Sequence, residues 1–159
     1  MREKILAILE KNSRISAKEL AALLGEQEAA VAAELENLEQ ENVICGYHTL
    51  INWEKVGEES ADAFIEVKVA PQKGVGFDQL AENLSSYPQV SDIFLVSGNC
   101  DLMLVIKGKT MREIAMFVSE ELSTIDGVLS TTTQFILKTY KKDGFEVENI
   151  SKDERFALS

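Results

Sequence analysis

The sequence predicts an α+β chain with a small all-helical head and a larger body of alternating strands and helices. Three observations carry this. Apolar residues recur at helical spacing from Ile5 to Leu38. From Val43 the composition turns β-branched and aromatic, and strand-like and helix-like stretches then alternate. At the centre of the body, Val90 to Lys107 (VSDIFLVSGNCDLMLVIK) reads as two strands about a tight polar turn.

A length of 159 residues allows one ordinary domain, or a small domain with a second of about 90 residues. Apolar content is 45%, and no run approaches the roughly 18 apolar residues of a membrane span. The opening residues, MREKILAILEKNSR, are charged and amphipathic and lack the apolar core of a secretion signal. Cys45 and Cys100 form no CxxC pair, which suits a reducing cytoplasm. A net charge of −11 argues against a general polyanion binder, since nucleic-acid affinity leans on Lys and Arg at phosphates.

Within the head, Ile5, Leu6, Ile8 and Leu9 predict a first helix over about residues 2–11, broken at Asn12-Ser13-Arg14. Ser16 followed by Glu19 is a capping box that opens a second helix, Ala17 to Leu24. Leu20, Leu23 and Leu24 are its expected buried residues, and Gly25 its stop. A third helix spans about residues 27–41, with Val31, Leu35 and Leu38 as its apolar stripe. Three short helices with a glycine turn before the third form a helix-turn-helix pattern. Val43 to Trp53 is expected to be extended, and Glu54 to Asp62 a polar linker.

The body opens with an alternating strand, Ala63 to Val69, and a turn at Pro71-Gln72-Lys73-Gly74. A helix from Phe77 to Ser85 then carries Phe77, Leu80, Ala81 and Leu84 on one face. Both strands of the Val90–Lys107 hairpin are nearly continuous in apolar residues, so both are expected to be central. Thr110 with Glu113 is a second capping box, for a helix through Leu122 that buries Ile114, Phe117, Val118 and Leu122. The last strand begins at Gly127 and runs on through VLSTTTQFILKTY; residues 141–159 read as a charged, mobile tail. The order β-α-β-β-α-β is the ferredoxin-like unit, with both helices on one face of an antiparallel sheet. Its other face needs a cover, so at least a dimer is expected. The predicted domains are residues 1–50 (winged helix-turn-helix), 51–62 (connector), 63–140 (ferredoxin-like, dimerising through its sheet) and 141–159 (tail).

One ordered set of residues runs through both halves. In the head it is Arg14-Ile15-Ser16, Glu19-Leu20-Ala21, Leu24-Gly25, Val31, Leu35 and Leu38-Glu39. It continues through Val43-Ile44, Gly46-Tyr47, Val90, Ser97-Gly98, Asp101-Leu102, Gly127-Val128, Thr131 and Thr133. In this set the chain resembles the Lrp/AsnC family of feast/famine transcription regulators. The resemblance implies a cytoplasmic homodimer, with tetramers or octamers beyond it, that binds promoter DNA and a small effector, typically an amino acid. It places the effector at a subunit interface near Ser97, Gly98, Asn99 and Asp101, with Thr131 to Thr133 as neighbours. Turn N–H groups suit a carboxylate and Asp101 an ammonium. Equally, Gly98 could serve only a positive φ, Asp101 only its own turn, and the threonines only the strand.

The third helix departs from the family, whose members carry arginines about its middle. EQEAAVAAELENLEQE has neither Lys nor Arg, and six glutamates: Glu26, Glu28, Glu34, Glu36, Glu39 and Glu41. Such a surface is repelled by phosphates. Arg14 and Lys18 flank the second helix and are the candidate phosphate contacts; Gln27 and Asn37 are the candidate base readers. The alternative is a ligand-binding or oligomeric interaction module whose acidic helix-turn-helix no longer binds DNA. A third reading, a tetrapyrrole decarboxylase on a related architecture, would need an acid that only His48 offers. Cys45 with His48 falls on opposite faces of an extended segment and does not make a metal site. Cys100 has no basic neighbour to activate it. Gly74-Val75-Gly76 is a turn, not a phosphate loop. Trp53 is expected to anchor the connector. No catalytic residue, cofactor or metal site is therefore expected.

Overall fold

The computed structural model describes residues 1–70 and 76–147. They fall into two compact units, Met1–Ile51 and Asn52 onward. The expected turn at Pro71–Gly74 and most of the expected tail lie outside the described residues.

The head has helices α1 (Arg2–Leu9), α2 (Ala17–Leu24) and α3 (Glu28–Gln40). The Ser16 capping box forms as the sequence predicts. The Glu19 backbone N–H donates to Ser16 Oγ at 3.2 Å, and the Ser16 backbone N–H donates to Glu19 Oε2 at 2.8 Å. Gly25 ends α2 at φ 70°, in the left-handed region that favours glycine. Ile5, Leu20, Ala21, Val31 and Leu38 form the buried core, with Leu24 and Leu35 packed partly against it. Leu23 corrects the sequence reading, being 68% exposed. It lies roughly 100° around the helix from the centre of the Leu20–Ala21–Leu24 stripe. Residues 45–52, expected to be extended, make no strand pairing within the head.

The body begins with a further correction. Part of the expected linker is a short helix, α4 (Trp53–Val56), whose Lys55 backbone N–H donates to Asn52 Oδ1 at 3.2 Å. Trp53 is half exposed there. Strands β1 (Ala61–Val69), β2 (Val90–Leu95), β3 (Leu102–Gly108) and β4 (Val128–Phe135) form an antiparallel sheet in the order β2-β3-β1-β4. Thus β3 is central as expected, but β2 is an edge strand. Its apolar residues cover the margin of the core and are not enclosed on both sides.

Helices α5 (Phe77–Ser85) and α6 (Met111–Glu120) pack on one face. Their Leu84, Ile114, Phe117 and Val118, with Leu122 of a 3-10 turn, meet Ala63, Ile65 and Val67 of β1 and Leu102, Leu104 and Ile106 of β3. Phe77, expected on the buried face, is 40% exposed at the start of α5. The second capping box forms only in part. The Glu113 backbone N–H donates to Thr110 Oγ1, but Glu113 Oε2 accepts from the Lys109 N–H, one residue before the box position. β4 stops at Phe135, short of Tyr140. Where a tail was expected, β5 (Lys141–Lys142) and β6 (Phe145–Glu146) form a hairpin about Asp143 and Gly144, both at positive φ. Asn52 Nδ2 donates to the Val147 carbonyl at 3.2 Å and ties α4 to this hairpin.

Candidate DNA-binding and effector sites

The head presents its candidate residues from two elements. Arg14 is exposed in the bend before α2, where its backbone N–H donates to Asn12 Oδ1 at 3.1 Å. Lys18 is exposed in the first turn of α2. The local reason is the Ser16 cap, which starts α2 so that Arg14 precedes the helix and Lys18 follows its entry. Gln27 is the N-cap of α3 and Asn37 lies near its far end, about 15 Å along the axis. The fold therefore gathers Arg14 and Lys18 at one helix entry but separates Gln27 from Asn37.

The glutamates of α3 are not all presented to solvent alone. Arg2 Nε lies 3.3 Å from Glu34 Oε1, and its Nη2 lies 2.5 Å from Glu41 Oε2. Tyr47 donates its hydroxyl to Glu39 Oε1 at 2.8 Å. Desolvation first, then this bond and the Glu39 charge, push the Tyr47 phenol above its ordinary value. Gln40 Nε2 donates to Glu36 Oε1 at 3.3 Å. Residue-type reading missed Arg2 as a partner of α3. The available signal was the seven-residue spacing of Glu34 and Glu41, which puts them on one helix face two turns apart.

The second candidate site lies at the end of the sheet where β2 turns into β3. The Val96 backbone N–H donates to the Asp101 carbonyl at 3.0 Å and closes the turn. Gly98 has φ 130° and open space where a side chain would begin. Its requirement is therefore backbone conformation, not close approach. Ser97, Gly98 and Asn99 are exposed; Cys100 and Asp101 are partly buried.

Asp101 is bound neither to its own turn alone nor to solvent alone. Its backbone N–H donates to the Val67 carbonyl at 3.0 Å, and its Oδ2 accepts the Val69 backbone N–H at 2.8 Å. The second contact sits where the β1–β4 pairing slips between Lys68 and Val69, so the carboxylate takes a donor at an irregularity of the ladder. One Asp101 oxygen thus has a structural partner, and a carboxylate retains further acceptor capacity.

Thr131 pairs with Val67, and Val67 with Leu102, so the row next to the turn runs across three strands. By strand spacing, Thr131 is about 10 Å from Leu102. Its hydroxyl lies 3.3 Å from Ser123 Oγ, on the helix-covered face. Thr133 pairs with Ile65, two residues further from the turn on the same face. The fold brings Thr131 toward the turn end and keeps Thr133 away from it. Ser123 was absent from the sequence reading because only the chain's return after α6 places it there. Among the described residues, no group of three or more His, Cys, Asp or Glu is placed to hold a metal ion.

Comparison with known proteins bears on both sites. The Lrp/AsnC ligand binding domain matches residues 62–144, and a winged helix-turn-helix DNA-binding domain matches residues 1–44. An uncharacterised helix-turn-helix transcriptional regulator of Bacillus subtilis, YugG, is 45% identical over 157 residues, covering 98% of this chain and 95% of its own. The chain belongs to the Lrp/AsnC family of transcriptional regulators. That family consists of regulators, not enzymes. An uncharacterised regulator of the same type from Pyrococcus horikoshii is 34% identical, over 89% of this chain and 86% of its own.

Two solved structures place this Lrp/AsnC regulator further. A transcriptional regulator of Neisseria meningitidis, solved as its L-methionine complex, shares 26% identity at a TM-score of 0.71, covering 89% of this chain and 90% of that one. The leucine response regulatory protein of Mycobacterium tuberculosis has a TM-score of 0.77 at 22% identity, over 92% and 97% of the two chains, and supports the fold. No helix among the described residues is long and apolar enough to cross a membrane.

Proposed function

We propose that this protein is a cytoplasmic homodimer, able to assemble further, that binds promoter DNA through its head. A small effector, an amino acid, controls it from a subunit interface beside the Ser97–Asp101 turn. The observation that carries this is the pairing in one chain of a matched DNA-binding head and a matched ligand-binding body. The amino-acid class draws its support from the Neisseria relative and its L-methionine.

The chemistry suits such a ligand. The exposed turn between Ser97 and Asn99 offers backbone N–H groups to a carboxylate, and the remaining acceptor capacity of Asp101 suits an ammonium. Thr131 is the nearer of the two threonines. The dimer is supported by the sheet face opposite the helices, where Phe64 is 41% and Phe94 50% exposed and Met103 and Val105 are partly exposed. Arg14 and Lys18 are the proposed phosphate contacts, with Gln27 and Asn37 reading bases from opposite ends of α3.

The test is binding to a fluorescent duplex from the region upstream of the protein's own coding sequence, at about 50 and about 200 mM salt. Binding that weakens with salt and shifts when one amino acid is added supports the proposal. Failure to bind at either salt sinks it.

One observation favours a second reading, an interaction module without DNA affinity: α3 carries no Lys or Arg. In that case the natural protein binds no duplex, while Glu28→Arg with Glu36→Arg creates affinity.

A further inference from the structure

The head must approach a polyanion, yet Met1–Ile51 holds nine acidic residues against five basic ones, a formal charge of 5 − 9 = −4. The acidic excess sits mainly on and around α3. Two of its carboxylates have a common answer. Glu34 and Glu41 share a face, and Arg2 at the start of α1 reaches both with different nitrogens of one guanidinium.

Two of these three charges, Arg2 and Glu41, are ill-placed on their own helices. Glu41 stands at the C-terminal end of α3, where the helix dipole disfavours an anion. Arg2 stands at the N-terminal end of α1, where the dipole disfavours a cation. Their side chains remain partly exposed, at 43% for Arg2, 22% for Glu34 and 54% for Glu41. Ion pairs so placed contribute little to folding. Their larger consequence is for a third charged body that comes near α3.

We propose that Arg2 is a positioning residue for DNA binding: by holding Glu34 and Glu41 in ion pairs, it neutralises the flank of α3 and lets an acidic recognition helix enter the field of the phosphates. This rests on the DNA-binding reading above. The group of three carries 1 − 2 = −1 with Arg2 in place, and −2 without it.

The experiment measures binding to the same upstream duplex across a salt series, with circular-dichroism melts of each variant alongside. Arg2→Gln is expected to weaken binding roughly fivefold at low salt, the effect of one unit charge about 10 Å from two or three phosphates in water. Its salt slope should stay that of the natural protein. Arg2→Lys should bind nearly as the natural protein does. Arg2→Gln with Glu34→Gln returns the group to −1 and should recover the lost affinity.

Three outcomes overturn the inference while leaving DNA binding intact. The first is an Arg2→Gln variant that binds as well as the natural protein. The second is a slope reduced by about 0.9 with no recovery in the double variant, which would make Arg2 itself a phosphate contact. The third is weakened binding in Arg2→Lys together with a lowered melt, which would make its role purely structural. A natural protein that binds at neither salt removes the DNA-binding reading, and the inference with it.

Discussion

The head and the body are held together in different ways. Among its described residues, the body buries a cluster of eleven apolar side chains between a four-stranded sheet and two helices. The head buries five, and its longest helix, α3, contributes only Val31 and Leu38 in full. Area removed from water scales the main stabilising term, so the body can lose a contact that the head cannot. The head compensates with local devices: a complete capping box and a left-handed glycine stop. In this chain the small half relies on its helix ends, and the large half on packing.

Large-to-small substitutions test that contrast most severely. Leu104→Ala, at the centre of the sheet, should cost about 3–4 kcal/mol, and Leu38→Ala in the head about 2–4 kcal/mol. The distinction lies in what each one unfolds. Trp53 is the sole tryptophan and belongs to the body, so its fluorescence follows that unit. Under urea, Leu38→Ala should lower the midpoint of helical ellipticity while leaving the Trp53 midpoint near its natural place; Leu104→Ala should lower the Trp53 midpoint. Coincident shifts in both variants would mean that the two cores do not melt separately.

Gly108→Ala probes how tightly the body is packed. A methyl there would meet Ile114 Cγ1 at 2.9 Å, at the join of β3 and α6. The expected cost is about 1–3 kcal/mol by overpacking, read from the thermal midpoint. On an Ile114→Ala background the same Gly108→Ala change should cost less, because that substitution removes the Cγ1 the new methyl would meet.

Ser16→Ala removes the cap on α2 and should cost about 1 kcal/mol, confined to the head's transition. An unchanged midpoint would show that the cap is dispensable and leave packing alone to hold the small half.

The smallest effect is a pH dependence of that same cap. The Glu19 carboxyl is held below its ordinary value of 4.5, first by the Ser16 backbone N–H and then by its hydroxyl. With the folded value depressed, the unfolded chain binds more protons in this range, and stability falls with acidity. The contribution is complete above about pH 4.5 and fades as pH drops through the depressed value. Melts of the natural protein and Glu19→Gln should converge as the solution is acidified through that window.

The parts readable in the sequence were those set by neighbours along the chain. Ser16 with Glu19, and Leu24 with Gly25, mark the ends of α2 because a cap joins groups three or four residues apart. Alternation along Ala63 to Val69 identified the core face of β1 because successive side chains point to opposite sides. Misreadings arose where a partner was needed. Residues 45–52 have strand-like composition but make no strand pairing within the head, and β2 is as apolar as a central strand but lies at the edge. In the candidate effector site, the turn and its glycine were legible from residue type. The Val69 N–H on Asp101 and the Ser123 hydroxyl beside Thr131 were not.

By itself, then, the sequence determined the helices other than α4, both ends of α2, the faces of β1, the βαββαβ order and the acidity of α3. Tertiary structure decided which charges meet and which turn residue already has a partner. Arg2 meets Glu41 across 39 residues, and Asp101 meets the Val69 N–H across 32. Contacts that distant leave no local periodicity; they exist only once the loops between them have closed and the cores have set the distance.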